Sequence, residues 1–140
     1  AFVGIEITQN THITRAAMAA EMTGHWIENA NAIATDTEMA KAWVQFTSDP
    51  ESASPEGRAK LFFWSIAGFK SGDFSFHQWQ AGNLDTELWK STEGLLKSAF
   101  ENPNHPYTLS WPFIKDLYTS DYVEYIDSLA ASAETTAPAE

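Results

Sequence analysis

Two groups of side chains in this chain have the types and the spacing that chemistry requires. Glu21, His25 and Glu28 follow one another at steps of four and three, so a helix projects all three from one side. Carboxylate and imidazole together can hold a divalent metal ion or trade a proton. Asp73 and His77 stand one turn apart in an aromatic stretch that also carries Trp79. Burial there would perturb the titration of both groups, which makes the three residues a candidate ligand-binding site. Each group has a plain structural alternative. A Glu and a His one turn apart is commonplace on helix surfaces, and the Glu-x-x-His spacing of di-metal bundles does not occur in the chain. A buried Asp–His pair more often serves packing, satisfied by neighbours such as Lys70 or Gln78.

Other chemistry has little support. His12 and His105 have no neighbours at ligand spacing and read as surface residues. No serine lies in a Gly-x-Ser-x-Gly turn, and there is no glycine-rich phosphate loop. With no Cys, disulfides, thiolate zinc sites and cysteine nucleophiles are excluded. No catalytic residue and no cofactor is expected. The net charge of -11, from 8 Lys+Arg against 19 Asp+Glu without a basic run, argues against nucleic acid as a partner.

These candidates need elements to position them. At 140 residues, 44% hydrophobic and 14% aromatic, the chain has the size and the apolar content of one folded domain. Met18, Met22, Trp26, Ala30 and Ile33 recur at helical steps, which predicts a long helix from Phe2 to about Ile33. Thr35 or Asp36 then caps a short second helix with Met39, Trp43 and Phe46 inward. Ser54 followed by Pro55 starts a third, central helix running to about Ala81, in which Gly68 and Gly72 mark a close approach by a neighbour. The stretch "FHQWQAGNLDTELW" reads as a helical hairpin corner: Gly82 and Asn83 end one helix, and Asp85 caps the next. Leu88, Leu95, Ala99 and Phe100, with Trp89 and Leu96 alongside, are the expected buried face of that fourth helix, ended by "NPNHP" near Glu101. Ser110 or Trp111 with Pro112 starts a short turn of helix. A last helix from Thr119 or Ser120 presents Tyr122, Tyr125 and Leu129 on the same face as Tyr118. The class is all-α: a single helical domain of about six helices over 1-131, with 132-140 a disordered acidic tail.

Three segments, "VGIEITQNT" (Val3 to Thr11), "FSFHQWQAGNLDTELW" (Phe74 to Trp89) and "SDYVEYIDSL" (Ser120 to Leu129), together resemble a family of short, uncharacterised bacterial proteins. In that family a membrane-spanning helix runs directly into a Val-Gly-x-Glu-Ile-Arg-Gln-Asn-Thr motif, followed by a helical domain with a Gly-x-Leu-x-x-Glu-Leu-Trp corner. Thr8 departs from the usual Arg, and His77 from the usual Tyr. The resemblance implies a single-pass anchor upstream of the chain and a helical fold, and it implies no reaction.

The expected function is therefore that of a non-enzymatic, membrane-tethered helical domain. It would bind a protein partner or form a homo-oligomer through the long first helix or the aromatic C-terminal segment. The alternative is a small-molecule or metal-binding sensor, or an enzyme, built on Asp73 and His77 in an aromatic-lined pocket.

Overall fold

The computed structural model describes residues 2–134. Six α-helices follow one another along them, with no strand among the described residues: α1 (Phe2–Thr35), α2 (Thr37–Ser48), α3 (Pro55–Gln80), α4 (Thr86–Glu101), α5 (Pro106–Ile114) and α6 (Ser120–Glu134). Short 3-10 turns occupy Pro50–Ser52 and Lys115–Leu117. The fold is a single all-α domain, as the helical periodicities require.

Local chemistry sets most of the boundaries. Asp36 takes an extended conformation, and its carboxylate accepts the backbone N–H groups of Glu38 and Met39, which separates α1 from α2. The Ser54 hydroxyl accepts the N–H of Gly57 while Pro55 opens α3. At the far end of α3, Gly82 sits at φ +77°; its N–H donates to the Trp79 carbonyl, and the Asn83 N–H donates to that of Gln78. This is a Schellman ending, and the left-handed glycine is what permits it. The chain then turns into α4 over the buried Leu84. Asp85 stands at the cap position without a side-chain capping bond, so the corner is closed by apolar contact and by the glycine.

Helix α3 is central and packs against α1, α2, α4 and α5. A large apolar cluster forms around Phe69, Phe76, Trp89, Trp111, Tyr122 and Ile126; a smaller one joins Met39, Ala42, Phe46 and Leu61 beneath α2. Each fully buried side chain of this size contributes about 1.5–3 kcal/mol. The two central glycines admit tyrosines. A Cβ at Gly68 would overlap the Tyr107 hydroxyl and stand 2.8 Å from its Cζ; at Gly72 it would overlap the Tyr122 hydroxyl, with Cζ at 3.2 Å.

Three expectations about elements need correction. The buried face of α4 is Trp89, Thr92, Leu96, Ala99 and Phe100, whereas Leu95 is exposed and Leu88 only partly covered. The helix is turned toward α6, where the Trp89 indole N–H donates to the Tyr125 hydroxyl at 3.0 Å. Helix α5 begins at Pro106, not near Pro112, because the His105 ring caps it; Pro112 lies inside the helix. Helix α6 continues to Glu134 with Ala133 buried, three residues beyond the expected edge of the tail. The rest of that tail, 135–140, lies outside the described residues.

Helix α1 has two halves. From Met18 onward it lies on the body, with Met22 buried and Met18 and Ile33 packed against the two clusters. Its earlier turns stand clear: Val3, Ile7 and Ile13 are all exposed. The first side-chain bond to the body is that of Arg15, whose Nε donates to the Gly82 carbonyl at 3.1 Å. Among the described residues no helix is long and apolar enough to cross a membrane.

Candidate functional site

Asp73 lies in the last third of α3, 7% exposed, facing the start of α6. Its carboxylate accepts the Thr119 backbone N–H at 3.1 Å and the Thr119 hydroxyl at 2.6 Å. His77 brings Nε2 to 2.8 Å from the same hydroxyl and 3.2 Å from the Asp73 carboxylate. An acid, an imidazole and a hydroxyl thus meet, but in the wrong order for nucleophilic catalysis. In a working triad the imidazole bridges acid and hydroxyl through its two different nitrogens. Here the hydroxyl donates directly to the carboxylate, and one imidazole nitrogen faces both. Asp73 fastens the first turn of α6 to α3. Trp79 does not join the pair: it stacks on Trp89 across the hairpin at 5.5 Å and donates its indole N–H to Thr86.

Glu21 and Glu28 are exposed on α1, while His25 turns inward and buries Nδ1 without a partner among the described residues. Among the described residues, no group of three or more His, Cys, Asp or Glu side chains is placed to hold a metal ion.

The concave surfaces lie elsewhere. A groove of about 370 Å³ runs between α3 and α5, with Phe46, Leu61 and Phe62 in its floor. Its rim carries Phe63 and Phe113, which are 68% and 83% exposed. A second cleft, of about 230 Å³, opens between α1 and α4 and is walled by Trp26, Trp43, Trp64, His105 and Tyr107. It adjoins a chamber of about 40 Å³ that shares Trp26, Asn29, Leu96 and Tyr107 with it and reaches His25, Ser71 and Ser75.

His105 is not the surface residue its flanking prolines predict. Its Nδ1 accepts the Tyr107 N–H at 3.0 Å, its ring meets Trp43 edge-on at 5.2 Å, and burial lowers its pKa from 6.5 to about 4. The ring is therefore neutral near pH 7, with its proton on Nε2. Tyr107 stacks on Trp64 at 4.8 Å, and the Trp64 indole donates to the Asn29 carbonyl at 3.1 Å, so this wall is fixed before any ligand arrives. In the sequence Trp26 and Trp43 read only as inward helix faces, and nothing there joins them to Trp64, His105 and Tyr107 as a cleft. The available signal was His105 directly before Pro106, a helix start of the same kind as Ser54 before Pro55.

Compared with known proteins, the chain matches no family model, no curated protein and no solved structure.

Proposed function

We propose that this chain is a non-enzymatic docking module that holds an apolar helical segment of another protein in the groove between α3 and α5. The observation that carries the reading is the pair Phe63 and Phe113, exposed on the two sides of an apolar floor. Leaving a large ring in water forgoes about 1.5–3 kcal/mol of burial each, and such rings are the usual anchors of protein interfaces. The groove suits the helix-in-groove mode, in which apolar residues at i, i+3 or i+4, and i+7 fill the floor. The net charge of -11 opposes the approach of a second copy and favours a partner with basic flanks. Within the aromatic C-terminal segment, expected as an association surface, the tyrosines of α6 lend no support to that role, because Tyr122 is buried and Tyr125 packs on Trp89. On the same reading the outward half of α1 is a stalk. About twelve residues at 1.5 Å each would hold the body of the domain roughly 18 Å from the membrane anchor that the family resemblance implies.

The test is selection of a displayed peptide library against the purified domain. Enriched peptides are expected to repeat apolar residues at helical spacing and to lose at least tenfold in affinity to a Phe63→Ser/Phe113→Ser variant of unchanged melting temperature. Absence of enrichment, or equal binding by that variant, refutes the reading. Concentration-dependent dimerisation abolished by the same variant would identify a second copy as the occupant.

A further inference from the structure

The cleft between α1 and α4 is built differently from the α3–α5 groove. Its walls come from separate elements: Trp26 from α1, Trp43 from α2, Trp64 from α3 and Tyr107 from α5, with Leu95 and Leu96 of α4 opposite. Among the described residues, no Lys, Arg, Asp or Glu lines either the cleft or the chamber beside it. The chamber follows a pared-down face of α3, where Ser71 and Ser75 stand beside Gly68 and Gly72. His25 also lines this chamber, and its buried Nδ1 has no hydrogen-bond partner among the described residues, an arrangement that costs free energy.

We propose that this cleft binds an uncharged, planar aromatic small molecule of one or two rings, its ring lying against Trp26, Trp43 and Tyr107 and its single polar group entering the chamber to bond His25. Size, charge and polarity each follow from the walls. An apolar cavity of about 150 Å³ takes a benzene ring, so about 230 Å³ admits a phenol or a bicyclic such as indole. A charged ligand would lose its hydration against a lining with no counter-charge. A chamber of about 40 Å³ has room for a hydroxyl or a ring N–H and a water, and for no larger group. His105 stays neutral at the cleft wall and adds no charge to the lining.

Phenol, indole, toluene and benzoate are the probes, followed by tryptophan fluorescence and by ligand-observed NMR on the whole chain. Saturable binding of phenol and indole is expected, with benzoate at least tenfold weaker. Phenol should exceed toluene by about fivefold, the worth of one net hydrogen bond. His25→Ala should erase that preference while leaving toluene binding in place, an effect that a purely packing role for His25 would not produce. Ala30→Phe, a substitution at an exposed lining residue, fills the mouth without touching the core and should cost tenfold or more for every probe. Lack of saturable binding by either phenol or indole overturns the proposal, as does binding unaffected by Ala30→Phe or a phenol preference that survives His25→Ala. The Phe63→Ser/Phe113→Ser variant should bind phenol normally, so failure here leaves the docking groove untouched, and the reverse holds as well.

Discussion

Replacing Gly72 by alanine should destabilise the domain although it improves the helix. A glycine inside a helix costs about 1 kcal/mol relative to alanine, so on propensity alone Gly72→Ala should gain that much. The added methyl would overlap the Tyr122 hydroxyl and stand 3.2 Å from Cζ. Tyr122 cannot swing aside: it is fully buried and fenced by Phe76 at 5.6 Å, Tyr118 at 6.1 Å and Trp111 at 6.3 Å between ring centres. Forcing a methyl into such a place costs about 1–3 kcal/mol, and a rigid, enclosed ring puts the cost at the upper end, for a net loss of about 2 kcal/mol. Gly94 on α4 is the control, since a Cβ there meets nothing within 4 Å; Gly94→Ala should gain roughly 0.5–1 kcal/mol. The same chemical change should thus separate two variants by about 3 kcal/mol, or roughly 10 °C in melting temperature for a domain of this size. Urea titration and calorimetry measure the gap. The buried Tyr122 hydroxyl has no partner among the described residues, so Tyr122→Phe alone should be neutral or stabilising. In the Gly72→Ala background it should recover about 1 kcal/mol, because it removes the atom that meets the new methyl first. A Gly72→Ala variant within 0.5 kcal/mol of Gly94→Ala would show that Tyr122 gives way to the added methyl at no cost.

Two further outcomes follow from the sites described. Burial lowers the pKa of His105 from 6.5 to about 4, so on acidification the unfolded chain takes up the proton first. Its contribution is fully present above about pH 6.5 and is lost as pH falls toward 4, where protonated Nδ1 can no longer accept the Tyr107 N–H. The loss should reach about 2 kcal/mol, discounted for the ring's partial exposure. His105→Asn, which can cap without titrating, should flatten the melting temperature across that window, and a slope identical to that of the unmodified protein would contradict the assignment. Asp73→Asn leaves the α3–α6 junction with one fewer acceptor and no charge, and should cost about 1–3 kcal/mol; an unchanged urea midpoint would show that the junction contributes nothing.

The helix order was legible because its punctuation is chemical and local. Asp36, Ser54 with Pro55, and Gly82 each fix a boundary through bonds to residues a few positions away. The face of α4 was not legible. Leu88 and Leu95 sit beside Trp89 and Leu96 with the same periodicity, and the choice between the pairs falls to residues distant in sequence, such as Phe76 and Tyr125, on which Trp89 packs. Helix α5 was misplaced because a histidine cap is rarer than a serine or aspartate cap, and Pro112 was the louder signal. Asp73 and His77 were rightly seen as neighbours, but their third partner, Thr119, is 46 positions from Asp73. The α1–α4 cleft joins residues 26, 43, 64 and 107, and no local spacing marks those four as a wall rather than a core.

The outward half of α1 has an energetic consequence. A helix of about twelve residues is marginal in water on propensity alone, and the turns before Met18 draw little from tertiary contact. Their backbone amides belong to a different stability class from those after Met18, so a sharp step in hydrogen-exchange protection should fall between Ile13 and Met18. The ordering of these turns is thereby separated from the folding of the domain. Whatever lies against Val3, Ile7 and Ile13 would lengthen the rigid part of the molecule one turn at a time, and this helix can convert contact at its tip into a change of stiffness without disturbing the core.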